Sequence, residues 1–178
     1  MKEQIKSWHY KAWEEDYFSK YVFQYLAFIW YVQKIKYQKD KDRDAIQCLK
    51  QDSDIKNKYL ARLENHPWIK QSWEKVMDEL RSSPLWILRW ASTVAEENKR
   101  WNCSHSVINQ KTLQENDKDT GVIHDFWDWE NMIEFWYSIR NTLFHGGKNA
   151  NDRRDQLLVK HGYKTLRPLV ALFIKELN

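Results

Sequence analysis

The chain is poor in the residues that turn or break a backbone. Its 178 residues include four glycines and three prolines, too few for the many tight turns of a sandwich or barrel. Two cysteines, Cys48 and Cys103, lie far apart and do not suggest a disulfide framework. No long apolar run is present either. The longest, YVFQYLAFIWYV at 21–32, contains Gln24 and falls short of the ~20 residues a membrane span needs. The start, MKEQIKSWHYKAWEED, has no apolar h-region or small-residue cleavage site; no signal peptide is read there, and a soluble cytoplasmic protein without a membrane partner is expected. Phosphate-binding glycine loops, dinucleotide fingerprints and nucleophile elbows are missing, which sets aside the commonest nucleotide enzymes and leaves no cofactor to expect.

What is present is charge and aromatic surface. Charged residues make up 30% of the chain and aromatics 15%, with eleven tryptophans. That is not a disordered composition, and the length suits one domain, here read as 1–178, with a real core. Scarce glycine and proline favour long helices. Most of the tryptophans fall at helical spacing and are assigned to the core. One or two are left for function, on the order of what a single base-stacking site uses.

The apolar period gives an all-α bundle of about six helices. Residues 14–36 place Phe18, Val22, Leu26, Ile29, Val32 and Ile35 at three- and four-residue steps, with Tyr17, Tyr21, Phe28 and Tyr31 widening the stripe. A second helix runs through Ile46 and Leu49, is interrupted near Asp52–Asp54, and resumes with Ile55, Tyr59, Leu60 and Leu63. Pro67 opens a third, since its missing N–H would be unpaired at that position anyway. Ser83-Pro84 repeats the signal for a fourth, carrying Leu85, Leu88, Ala91 and Ala95. Residues 98–121 lose the period and turn polar; they read as a long exposed connection, of a kind that tends to be functional or mobile. Asp125 is expected to cap a helix running to about His145 and ended by Gly146. Asp152 is expected to cap a last helix, with Gly162 and Pro168 breaking or bending it.

The net charge of +4 is unevenly placed: from Arg140 onward there are eight Lys or Arg against three Asp or Glu. The whole basic excess therefore starts at residue 140, and such a field suits a phosphate-bearing partner. Residues 138–149 there read SIRNTLFHGGKN. On the stripe Phe126, Trp129, Ile133, Trp136, the next step is Arg140, then Leu143 and Phe144. A guanidinium at such a step cannot shed its charge and must find an anion, an acceptor network or water. Asn141 and His145, four apart, share a neighbouring polar face with Ser138 and Glu134. Arg140 and His145 are five apart, about 140° in projection on a straight helix. Other Arg–His spacings occur, RWNCSH at 100–105 and RDQLLVKH at 154–161, but neither combines an inner-face arginine with a helix-ending histidine.

SIRNTLFHGG, late in an all-α chain and followed by a further helix, resembles the arginine–x4–6–histidine signature of the HEPN superfamily, including the polar residue after the arginine. The resemblance covers about a tenth of the chain and carries over Arg140, His145 and Asn141. It implies a small helical bundle, a homodimer, and metal-independent endoribonuclease activity in toxin–antitoxin or antiviral defence, with RNA as substrate and an antitoxin or defence-system protein as partner. One departure is visible. Gly146-Gly147 follow the histidine, where HEPN toxins silenced by a nucleotidyltransferase often carry a tyrosine two positions on.

The residue types agree with that chemistry. Histidine, with an ordinary pKa of about 6.5, exchanges protons near neutrality and can take the 2′-OH proton. Arginine offers a planar fork of donors to the phosphorane oxygens. Asn141 could orient the imidazole or hold a ribose hydroxyl. Lys148, Arg153, Arg154 and Lys164 are candidates for tracking an RNA backbone. Cys103, His105 and His124 match no usual zinc spacing, so no metal site is expected. Two other readings stay open. One is a non-catalytic helical module in which Arg140 and His145 hold a nucleotide, RNA or protein partner. The other is a purely structural helix end, with a histidine favoured by the helix dipole.

Overall fold

The computed structural model describes residues 2–13, 16–83, 85, 122–144 and 150–177, and those residues are all-helical. Seven α-helices follow in order: α1 (Lys2–Lys11), α2 (Tyr17–Trp30), α3 (Asp42–Gln51), α4 (Ser53–Asn65), α5 (Pro67–Ser82), α6 (Trp129–Phe144) and α7 (Arg153–Glu176). The fourth expected helix and the 98–121 connection lie outside the described residues, except that Leu85 is buried in the core.

Local signals set several of these boundaries. Asp16 caps α2, its carboxylate accepting from the N–H groups of Phe18 and Ser19 at 2.8 and 3.2 Å. Asp52 accepts from Ile55 N–H at 3.0 Å and separates α3 from α4, as the interrupted period suggests. Pro67 stands at the start of α5, and Asp152 caps α7 through Asp155 N–H at 2.9 Å.

Four expectations need correction. Helix α1 was not read from the sequence. It buries Ile5 and His9, with His9 Nδ1 3.1 Å from the Gln24 side chain on α2. Asp125 does not cap α6. Its carboxylate takes Trp127 N–H at 2.7 Å, closing a local turn, a habit of aspartate that competes with helix starts. The helix begins four residues later, where the Asp128 carbonyl accepts from Met132 N–H at 3.0 Å. Helix α7 is continuous through Gly162 and Pro168. Its flanks Leu166, Leu169, Val170 and Phe173 are buried, and tertiary burial outweighs the one ladder bond that proline removes. Finally, the stripe expected over 17–35 holds only in part: Tyr21, Phe28, Ile29 and Val32 are buried as expected and Tyr25 joins them, whereas Phe18, Val22 and Leu26 are only half-buried.

After Trp30 the chain continues as a π-helical turn over Tyr31–Lys36, closed by Tyr37 N–H on the Val32 carbonyl at 3.1 Å. Tyr31 there stacks on Phe173 with ring centroids 4.2 Å apart, and its hydroxyl donates to Glu176. Because Tyr17 meets Tyr163 at one end of the pair and Tyr31 meets Phe173 at the other, α2 and α7 run side by side in the same direction. Gly162 faces Tyr21 on α2. A Cβ there would sit 3.0 Å from Tyr21 Cε2 and 3.5 Å from Phe135 Cε1, so glycine is what lets α7 seat against α2 and α6.

Candidate functional site

Trp136 at the middle of α6 fixes where the end of that helix lies. Its ring centroid is 5.5–6.3 Å from those of Trp73, Tyr59, Phe28 and Trp129, within the range where aromatic pairs add to simple area burial. Every indole N–H of this cluster has an acceptor. Trp136 donates to Thr165 Oγ1 at 3.0 Å, Trp73 to the Tyr59 hydroxyl at 2.9 Å, and Trp129 to the Leu49 carbonyl at 3.2 Å. The Tyr21 hydroxyl donates to the Trp136 carbonyl at 2.5 Å. Rotation of α6 would break several of these bonds at once, so the face that carries Arg140, one turn on from Trp136, is set by the core.

Arg140 lies at the rim of that core, with 30% of its side chain exposed. Its Nη1 donates to Asn141 Oδ1 at 2.9 Å. Its guanidinium carbon is 4.9 Å from the Phe144 ring centroid and 6.0 Å from that of Tyr25, positions that favour a cation over an aromatic face. The nearest carboxylate, Asp42 on α3, is 3.8 Å from Nη2, at the outer limit of an ion pair rather than a bidentate clamp. The Tyr25 hydroxyl close by is buried and has no hydrogen-bond partner among the described residues. Burial raises its pKa well above the ordinary phenol value, with the Arg140 charge opposing.

Of the residues singled out in the sequence, the structure brings Arg140 and Asn141 into direct contact, with Asn141 orienting the guanidinium. His145 and Lys148 lie outside the described residues. Arg153 is exposed at the first turn of α7. Arg154 is committed to the fold: its Nε donates to Glu79 at 2.8 Å and its Nη2 to the Ser83 carbonyl, tying α7 to the end of α5. Lys164, ten residues further and about 15 Å along the helix axis, borders a separate cavity with Trp13, Trp68 and Arg167. These cations therefore do not form one track.

Glu134 was read as part of a polar face and is instead the centre of a buried ion cluster. It is 3% exposed, with Lys50 Nζ at 2.5 Å and Arg43 Nη1 at 2.8 Å; Lys50 is itself 1% exposed. Burial pushes the Glu134 carboxyl up, but the Arg43 hydrogen bond and the Lys50 charge outweigh it, and the net shift is downward. Arg43 also lies over the Tyr137 ring, 5.3 Å from its centroid. Since Arg43 and Asp42 are neighbours on α3, this cluster holds Asp42 beside Arg140. The one hint in the sequence was Glu134 following directly on buried Ile133, inside a run of apolar positions.

Compared with protein-family models, curated proteins and solved structures, the chain matches none.

Proposed function

We propose that the chain is a metal-independent endoribonuclease acting through Arg140 and His145. The observation that carries this reading is the state of Arg140: a guanidinium fixed in place by Asn141 and two aromatic rings, still part-exposed, with its nearest carboxylate at 3.8 Å. A cation positioned by neutral neighbours remains able to take phosphate oxygens. His145 follows one residue after the last turn of α6, close in the chain to that cation. In the reaction, His145 takes the 2′-OH proton, the 2′-oxygen attacks phosphorus, and Arg140 stabilises the charge on the phosphorane. The P–O5′ bond breaks, the imidazolium returns its proton to the leaving 5′-oxygen, and a 2′,3′-cyclic phosphate remains. A homodimer with the two α6 ends facing would set Arg140 of one protomer beside His145 of the other and remove the 140° projection mismatch; exposed Phe144 gives that contact apolar surface. An antitoxin or defence-system partner and a cytoplasmic setting belong to the same reading. Among the described residues no helix is long and apolar enough to cross a membrane.

The test is the chemistry of the ends. Fragments made in EDTA should carry 5′-hydroxyls and cyclic phosphates, and Arg140→Ala should remove them at unchanged Tm. Fragments bearing 5′-phosphates would contradict the mechanism. A second reading is favoured by Asp42: the contact at 3.8 Å supplies Arg140 with a partner inside the fold, as a structural tie between α3 and α6. That reading has Arg140→Ala lower the Tm and no cleavage to lose.

A further inference from the structure

The turn after α1, the starts of α2 and α5 and the middle of α7 border a cavity of about 280 Å³, lined by residues apart from Arg140 and Asn141. Two indoles stand open at it, Trp13 at 53% and Trp68 at 45% exposure. Three cations border it, Lys20, Lys164 and Arg167, and among the described residues no carboxylate lines it. None of the three forms an ion pair among the described residues. Two of them rest on aromatic rings instead, the Arg167 guanidinium 3.8 Å from the Trp13 centroid and Lys20 Nζ 5.2 Å from that of Tyr17. Lys160 lies over the same Tyr17 ring at 5.4 Å.

This combination selects among ligands. A cationic ligand is refused, because three cations already border the cavity. An acidic peptide would use the cations and leave the indoles in water. A planar aromatic group joined to an anion uses both, since indole faces stack on bases and Arg and Lys take phosphate oxygens. The volume lies just below the usual range for ligand pockets, about 300–1,000 Å³, and so suits one nucleotide rather than a longer ligand. The positive field reaches the neighbouring side chains. His161 is held neutral down to about 4, first by burial and then by Lys164, Lys160 and Lys75. His9 is likewise lowered, chiefly by burial, with Arg167 contributing.

We infer that this cavity is a binding site for a nucleoside monophosphate unit, its base stacked at Trp13 and Trp68 and its phosphate held by Lys20, Lys164 and Arg167. The site stands whether or not Arg140 and His145 cut RNA. The unit has two sources: a free nucleotide, or one residue of a single strand.

The test is calorimetric titration of His145→Ala protein, in EDTA, with AMP, adenosine, inorganic phosphate and a 2′-O-methyl oligoadenylate of eight residues. AMP should bind at least about tenfold more tightly than adenosine or phosphate alone, because stacking and phosphate contacts act together. Trp68→Ala and Lys164→Ala, each folded by its melting curve, should weaken it about tenfold; Lys20→Ala provides an independent check from α2. An oligonucleotide that binds as tightly as AMP or more so, with the same losses, assigns the site to a strand; AMP alone binding assigns it to a free nucleotide. No binding by AMP or oligonucleotide, phosphate matching AMP, or affinity unmoved by all three substitutions would each overturn the assignment.

Discussion

Glu134→Gln removes the buried anion that faces Lys50 and keeps the shape of the side chain. Lys50, 1% exposed, cannot reach bulk water without opening the contact between α3 and α6, whereas Arg43, 39% exposed, can turn outward. Removing one partner of a buried pair costs about 3–5 kcal/mol, because the remaining charge stays desolvated. In a domain of this size each kcal/mol moves the Tm by roughly 2–4 °C, so the drop should be roughly 6–20 °C. Lys50→Met should cost less, since Arg43 still reaches Glu134. The double variant Lys50→Met/Glu134→Leu should return to within about 1 kcal/mol of wild type, because it leaves no buried charge behind. Urea unfolding of the four proteins measures all three values at one temperature. Single variants that lose under about 1 kcal/mol, or a double variant as unstable as the sum of the singles, would refute the reasoning.

Further outcomes follow from the same contacts. Gly162→Ala gains about 1 kcal/mol of helix propensity but drives a Cβ to 3.0 Å from Tyr21, whose hydroxyl is fixed on Trp136; overpacking of about 1–3 kcal/mol should win, and urea denaturation should show net destabilisation. His161 has a folded pKa of about 4 against an ordinary 6.5. Its contribution is therefore complete above 6.5 and lost as the pH falls toward 4, and His161→Gln should flatten that part of a Tm-against-pH curve. Glu134, also lowered when folded, gives stability present above its ordinary carboxylate value and lost below it, so Glu134→Gln should be less acid-sensitive than wild type. Asp42→Asn removes the nearest carboxylate from Arg140; on the nuclease reading it should leave cleavage intact, and a gel assay of cutting beside a melting curve separates this from a structural tie.

The fold was legible where a signal acts within one turn of chain. Pro67 and Asp152 start their helices for local reasons, and Asp52 interrupts one for the same reason. Elements decided across the molecule were not. Nothing near Glu134 in sequence announces Lys50, because a lone glutamate beside serine and asparagine reads as a solvated face until α3 is laid over it. The stripe through α2 was read rightly at Ile29, Val32, Tyr21 and Phe28 and too generously at Val22 and Leu26, because those aliphatics rank above tyrosine in apolarity, while Tyr21 and Tyr59 are buried through acceptors on Trp136 and Thr165. Pro168 was read as a break or bend, and no break occurs because its cost is local and its compensation lies along the whole buried flank of α7. Arg140 was read as an arginine on the inner face of its helix, and the structure places it at the rim of the core in contact with Asn141. The cavity at Trp13 and Arg167 left only a faint trace, the expectation that one or two tryptophans are spared for stacking, since its lining comes from three helices and the turn after α1.

The central claim is that SIRNTLFHGG is an active site. Its most direct measurement is cleavage of a mixed tRNA and mRNA pool in EDTA by wild type beside His145→Ala of matched Tm. The account predicts cutting by wild type alone. No cutting by either protein, or equal cutting by both, would contradict it.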